Sequence, residues 1–239
     1  MPESLRATHR FFSGIRNRTK ILTPQEKTAS AANLLSIIAW GIYFLSEGNI
    51  HDLAYVFLNL VFFLAVWSTV QRSYLGEPLL WAVFVWGLLN TLAGSTDING
   101  VSLYSISLKD IFGSSAPGAL IFFRYDRMIH FLAFGITTTY FFHLLHGPFK
   151  TKTENRRTVY LAAFLAGIGL GSINETVEFS ASWIIGHLGM YGGYVDTNVD
   201  LIANTIGAFF ALLVIFLVEK WRTKKEKAAE KRARAIISK

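Results

Sequence analysis

Six stretches of this chain are each long and apolar enough to cross a bilayer, and nothing else in the sequence restricts its fold so severely. They cover roughly residues 29–46, 52–70, 78–94, 126–146, 158–180 and 199–219. A helix needs about 20 mostly apolar residues to cross the hydrocarbon core. Composition agrees: 52% of the 239 residues are hydrophobic and only 16% are charged, against roughly 25% charged in a soluble domain. Mean hydropathy is +0.38. A soluble chain of this length would have to expose much of that apolar surface. The expected fold is therefore all-α, a polytopic transmembrane helical bundle of about six spans, placed in the cell membrane as a multi-pass protein.

Punctuation supports the boundaries. Pro78 opens the third span, and Pro148 follows the fourth after Gly147. Trp and Tyr stand near several span ends, as interfacial anchors do. The absence of cysteine removes disulfides, thiolate ligands and a Cys nucleophile. The first 28 residues are polar and basic, without the short apolar core of a cleaved signal peptide.

The net charge of +7 is concentrated in three places. The N-terminal segment 1–28 carries Arg6, Arg10, Arg16, Arg18, Lys20 and Lys27. Loop 147–157 carries Lys150, Lys152, Arg156 and Arg157. The tail 221–239 carries eight more Lys and Arg residues. Six spans put all three on one side, which the positive-inside rule makes the cytoplasm. Both termini are thus expected to be cytoplasmic, flanking a transmembrane domain over 29–220. The clustering suits a membrane surface, so the expected partners are membrane lipids and not nucleic acid. The tail reads either as a basic helix along lipid headgroups or as a solvated helix. Residues 95–125 form a long outer connection, read either as a lid with a re-entrant or interfacial piece or as an ordinary surface loop.

With spans placed, the polar residues inside them converge. Asp126 and His130 lie one turn apart at the outer end of the fourth span. Asn174, Glu175 and Glu178 share a face at the outer end of the fifth. Asp196, Asp200 and Asn204 form a stripe at the start of the sixth, continued by the small residues Gly207 and Ala211, which allow a close neighbour. Five carboxylates at that depth cost on the order of 10 kcal/mol if nothing offsets them. Arg124, Arg127 and a protonated His130 are the nearby cations, and Arg127 points about 100° away from Asp126 on its helix. A divalent cation would relieve the repulsion, with no clear choice among Mg, Mn, Zn and Fe. Asp126 and Asp196 also fit as helix N-caps. Capping does not explain Glu175 and Glu178 at a helix C-terminus, or the deeper Asp200 and Asn204. His143 and His146 fall at the inner end, and His187 lies in an outer loop that can join the site. Gly167, Gly169 and Gly171 read as helix-packing positions.

The blocks "YDRMIHF", "NETVEF" and "YVDTNVDLIANTIGA" resemble the signatures of the VanZ-like integral membrane proteins, and more closely those of the related YjdF-like bacterial inner-membrane group. The matching positions are Asp126, His130, Glu178, Asp200, Leu201, Ala203, Asn204, Thr205 and Gly207, over roughly residues 123–215. The chain departs from the VanZ-like pattern where that family carries Glu-x-x-Gln and a later Arg. The resemblance implies a multi-span membrane protein; one VanZ-like member is linked to teicoplanin resistance.

The expectation is a divalent-metal-dependent enzyme acting on a lipid or lipid-linked envelope substrate. Asp126, His130, Glu178, Asp196 and Asp200 are the candidate metal ligands, and His130, Glu175 and Glu178 the candidate catalytic groups. Arg124, Arg127, Asn174 and Asn204 are candidate substrate contacts. An ion- or proton-coupled transporter is the alternative, although polar residues fade below Asn204 and Thr139 and no inverted repeat is visible. A structural protein whose polar cluster locks its helices is a third reading.

Overall fold

The computed structural model describes residues 22–49, 52–70, 76–113, 123–149, 156–185 and 194–237. Six long helices meet the length and hydropathy a membrane span requires. They are α1 (Pro24–Ser46), α2 (Leu53–Val70), α3 (Gly76–Ser95), α5 (Tyr125–Phe149), α6 (Arg156–Ile185) and α7 (Tyr194–Ile237), with a short α4 (Leu108–Phe112) in the connection between α3 and α5. Within hydrocarbon each backbone amide must be paired inside the chain, which is why the apolar stretches are helices. The protein is thus an all-α, multi-pass membrane protein.

Local chemistry sets the boundaries. α1 starts before its apolar run because Thr23 and Glu26 form a reciprocal cap: Thr23 Oγ1 accepts from Glu26 N–H at 3.1 Å, and Glu26 Oε2 accepts from Thr23 N–H at 2.8 Å. Pro24 sits at the first turn, where its missing N–H costs nothing. At the other end, α7 runs unbroken through the basic tail. Its 44 residues make a rod of about 66 Å, roughly twice the hydrocarbon thickness. The tail is therefore a continuation of the last span and not a separate helix.

The bundle has two halves. α1, α2 and α3 pack around Ala29, Phe63, Val66, Val70, Leu80 and Val83. Asparagines tie them together: Asn33 Nδ2 donates to the Leu80 carbonyl at 3.0 Å, and Asn59 Nδ2 to the Gly87 carbonyl at 3.1 Å and Thr91 Oγ1 at 2.7 Å. A backbone carbonyl offers such amides a fixed partner where no water competes. α5, α6 and α7 pack against one another in the second half, with Phe142, Val159 and Ala163 at its core. The halves join through α3 and α5, where Trp86 Nε1–H donates to the Ile129 carbonyl and the Tyr125 hydroxyl to the Leu89 carbonyl.

The closest approach is between α5 and α7. A Cβ on Gly207 would overlap the backbone carbonyl of Phe131, and one on Gly135 would stand 3.3 Å from the Gly207 oxygen. Gly171 of α6 meets Asn204, and Gly167 meets Thr138. Two of the three glycines in the α6 run thus serve helix contact, and Gly169 faces open space.

The α3–α5 connection is ordered over 96–113. Strands β1 (Asp97–Ile98) and β2 (Val101–Ser102) pair around Asn99–Gly100, whose φ angles of +55° and +77° explain that residue choice. A 3-10 turn follows at Leu103–Ser105. Its Tyr104 hydroxyl reaches both the side-chain oxygen and the carbonyl of Asn90 on α3, and burial pushes its pKa well up. Ser107 N–H and Oγ then bind the Asp110 carboxylate at the start of α4, holding it below the usual carboxylate range. The connection is pinned to the bundle end, with no re-entrant helix among its described residues; 114–122 lie outside them.

Gly207→Val should lower the thermal midpoint of the detergent-solubilised protein, an overpacking cost on the order of 1–3 kcal/mol. Gly169→Ala should be neutral or gain up to about 1 kcal/mol from helix propensity. Equal midpoints in scanning fluorimetry would contradict the tight α5–α7 crossing.

Candidate functional site

The start of α5, the last turns of α6 and the start of α7 meet at the bundle end that carries the α3–α5 connection. His130 is at the centre, buried with Glu175, Asp200 and Asn204. Its Nδ1 lies 3.1 Å from Glu175 Oε1 and 3.1 Å from Asn204 Oδ1. Both neighbours are acceptors, so Nδ1 carries the hydrogen. Asn204 completes the triangle by donating through Nδ2 to Glu175 at 3.1 Å. The opposite nitrogen, Nε2, faces Asp126 at 3.5 Å and Glu178 at 4.0 Å.

Two overlapping sets of side chains can hold a metal ion: Asp126, His130 and Asp200, and His130, Glu175 and Glu178. In each, one ligand atom per residue lies within 4.8 Å of the others. With Nδ1 committed to Glu175 and Asn204, Nε2 is the nitrogen available as a ligand. A carboxylate on the far nitrogen is the usual support of a metal-binding imidazole, fixing its tautomer and orientation. Asp200 Oδ1 strengthens the first set, because it is buried and accepts no hydrogen bond. Its nearest cation is Arg127 Nε at 3.6 Å.

The structure distributes the predicted residues over two flanks of α5. Asp196 stands outside both candidate metal sets. Its Oδ1 accepts from Arg124 Nη1 at 2.6 Å and from Arg127 Nη2 at 2.7 Å, so guanidinium charge offsets it. Arg127 points away from Asp126, as its helical position requires, and finds its partners on α7. Glu175 and Glu178 differ sharply in setting. Glu175 is 4% exposed and packed against His130. Glu178 is 41% exposed and accepts from Asn174 Nδ2 at 2.7 Å within α6. Asn174 and Asn204 therefore both bind carboxylates of the site. Five carboxylates face two guanidiniums and one imidazole here, an excess of negative charge that a cation would reduce.

Tyr104 was not legible as a site residue in the sequence. Asp126 and Glu178 are close enough for their charges to add to the upward push on its hydroxyl. An aromatic residue in a long polar connection carries no periodic signal that would place it over a helix bundle. His143 sits near the opposite end of α5, thirteen residues from His130. The side chain of His146 and all of His187 lie outside the described residues.

Comparison with known proteins agrees with the membrane architecture. Residues 28–221 match the family described as "Predicted membrane protein (DUF2238)". An uncharacterized protein of Thermotoga maritima is 29% identical over 112 residues, covering 47% of this chain and 58% of that relative. The chain thus spans just over half the length of that curated relative. No solved structure matches.

Asn204→Leu should destabilise the protein by on the order of 1 kcal/mol, since it strips partners from two buried groups. Glu178→Gln keeps its shape and its Asn174 contact and should shift stability little. Thermal unfolding of both variants checks this, and equal losses would remove Asn204 from its bridging role.

Proposed function

We propose that this chain, which belongs to the DUF2238 family of predicted membrane proteins, is a divalent-metal-dependent enzyme acting on a lipid or lipid-linked substrate at the membrane surface. The observation that carries the reading is the Asp126–His130–Asp200 set, with Glu175 and Asn204 holding the imidazole from behind. Oxygen ligands with one imidazole suit Mg, Mn, Zn or Fe. A cation there would polarise a substrate oxygen or acidify a bound water. Glu178, half exposed beside Nε2, is the group positioned to take that water's proton. Glu175 is a positioning residue, because it reaches the reacting centre only through His130.

The excess of Lys and Arg in the N-terminal segment, the 147–157 loop and the tail supports an orientation with both termini in the cytoplasm and the site toward the outer leaflet. The likeness of Asp126, His130, Glu178 and the Asp200–Gly207 block to VanZ-like and YjdF-like proteins supports a shared site without naming a reaction.

A carrier would need a route continuing inward from the cluster. Directly below it, the Phe134 ring lies against the His130 ring with centroids 6.3 Å apart, and α5 and α7 touch backbone to backbone at Gly207. This packing below the cluster favours chemistry at one face over passage through the bundle.

Protein purified without chelator should hold close to one equivalent of divalent metal by elemental analysis. Asp126→Ala, His130→Ala and Asp200→Ala should each abolish it, while Asp196→Asn, on the arginine flank, should retain it. Metal-free wild-type protein after loading with Mg, Mn, Zn and Fe in turn would overturn the reading. Solute uptake into proteoliposomes would favour the carrier instead.

A further inference from the structure

On the arginine flank of α5 lies a cleft of about 610 Å³, within the size range of small-molecule sites. The α3–α5 connection forms one wall, and α5 and α7 form the others. It follows α5 from Tyr125 to Phe131, with Arg124 just before the helix, and α7 from Val199 to Ile206. Seven residues of helix make it about 10 Å deep along the helix axes. Ile111, Phe123 and Ile202 on its walls are more than half exposed, so the cleft opens sideways toward the bilayer hydrocarbon. Its lining is aliphatic and aromatic except at the end nearest the connection, where Arg124, Arg127, Tyr125 and Ser107 contribute.

We infer that this cleft binds an aliphatic chain carrying a phosphate head, with the chain along Phe131 and Ile206 and the phosphate at Arg124 and Arg127. The inference rests on the enzymatic reading above and names its substrate class. Three observations carry it. First, an apolar slot open to lipid and parallel to the spans accepts a chain without desolvating anything polar. Second, two guanidiniums converge on a single oxygen of Asp196 at 2.6 and 2.7 Å. Arg127 is shared with Asp200 as well, whereas Arg124 lines the cleft and its Nε is buried with no hydrogen-bond partner. Guanidinium forks match phosphate oxygens, and Arg124 Nε leaves a charged donor for one. Third, Arg127 lines the cleft and also stands 3.6 Å from Asp200. A phosphate held there borders the Asp126–His130–Asp200 set, so the head of a chain in the cleft is delivered to the site.

Native mass spectrometry of the detergent-purified protein tests this with four probes: phosphatidylglycerol, a polyprenyl phosphate, phosphatidylcholine and oleate. The two anionic phosphate lipids should be retained about ten-fold more strongly than phosphatidylcholine or oleate. Whichever of the two binds more tightly identifies the source of the phosphate-bearing chain. Ala203→Phe, which fills the cleft, and Arg124→Gln should each reduce that retention about ten-fold. Should Ala203→Phe fail to fold, Ile202→Trp at the exposed rim takes its place. Equal retention of oleate or phosphatidylcholine, or unchanged retention in a folded cleft-filling variant, would overturn the inference. The metal content of the same samples separates the two readings. A cleft variant that keeps its metal but loses lipid supports both, whereas a metal-free wild type that retains phosphate lipid removes only the metal reading.

Discussion

The gathering of five carboxylates at one end of an apolar bundle, with Glu175 and Asp200 buried, is the constraint around which the second half of this protein is arranged. A charge left unpaired at membrane depth costs several kcal/mol, so each acid needs its own means of offset. Arg124, just before α5, and the first turns of that helix sort them. Arg124 and Arg127 lie three apart and face α7, where they take Asp196. Asp126 and His130 lie four apart and turn toward α6, where His130 takes Glu175. Asp200 falls between the flanks, beside Arg127 Nε and within reach of His130. One helix thereby presents a cationic face and an imidazole–carboxylate face to its two neighbours.

That sorting depends on how closely the helices approach. Asn204 is a short side chain, yet it spans His130 and Glu175. It does so because Gly207, one turn further along α7, rests against the Phe131 carbonyl, and because Gly171 leaves room beside Asn204 on α6. A Cβ at Gly207 would push α5 and α7 apart, and one at Gly171 would crowd the Asn204 amide itself. The small-residue packing and the polar triad are thus one device: backbone contact below sets hydrogen-bond geometry above. The same contact holds α5 and α7 together directly below the cluster.

Much of this was legible in the sequence. Apolar length located all six spans to within a few residues, except where a polar capping box extended α1 back to Pro24, where α6 runs on to Ile185, and where α7 starts earlier, at Tyr194, and is prolonged by the basic tail. Spacings of three and four put Asp126 with His130, Asn174 with Glu178, and Asp200 with Asn204 on common faces, and the three faces do meet. The ranking of the two glutamates was not legible. Both look alike by spacing, but a difference of about 60° in azimuth per three residues buries Glu175 and leaves Glu178 at the mouth. Asp196 looked like its neighbour Asp200, yet its partners are arginines. The ordered connection with Tyr104, and the cleft beneath it, carry no periodic pattern and so left no trace in the sequence.

The sequence by itself determined the all-α spanning architecture, the helix ends at which acids gather and the residues that share each helical face. These follow from the hydrophobic length a bilayer demands and from the 3.6-residue repeat, both properties of one segment at a time. The tertiary structure alone decided which acid meets which cation, which imidazole nitrogen faces the candidate site, and where the apolar cleft opens. Those depend on the rotation and depth of each helix relative to its neighbours. Close backbone approach at Gly135, Gly171 and Gly207 sets that rotation and depth, and no single segment encodes it.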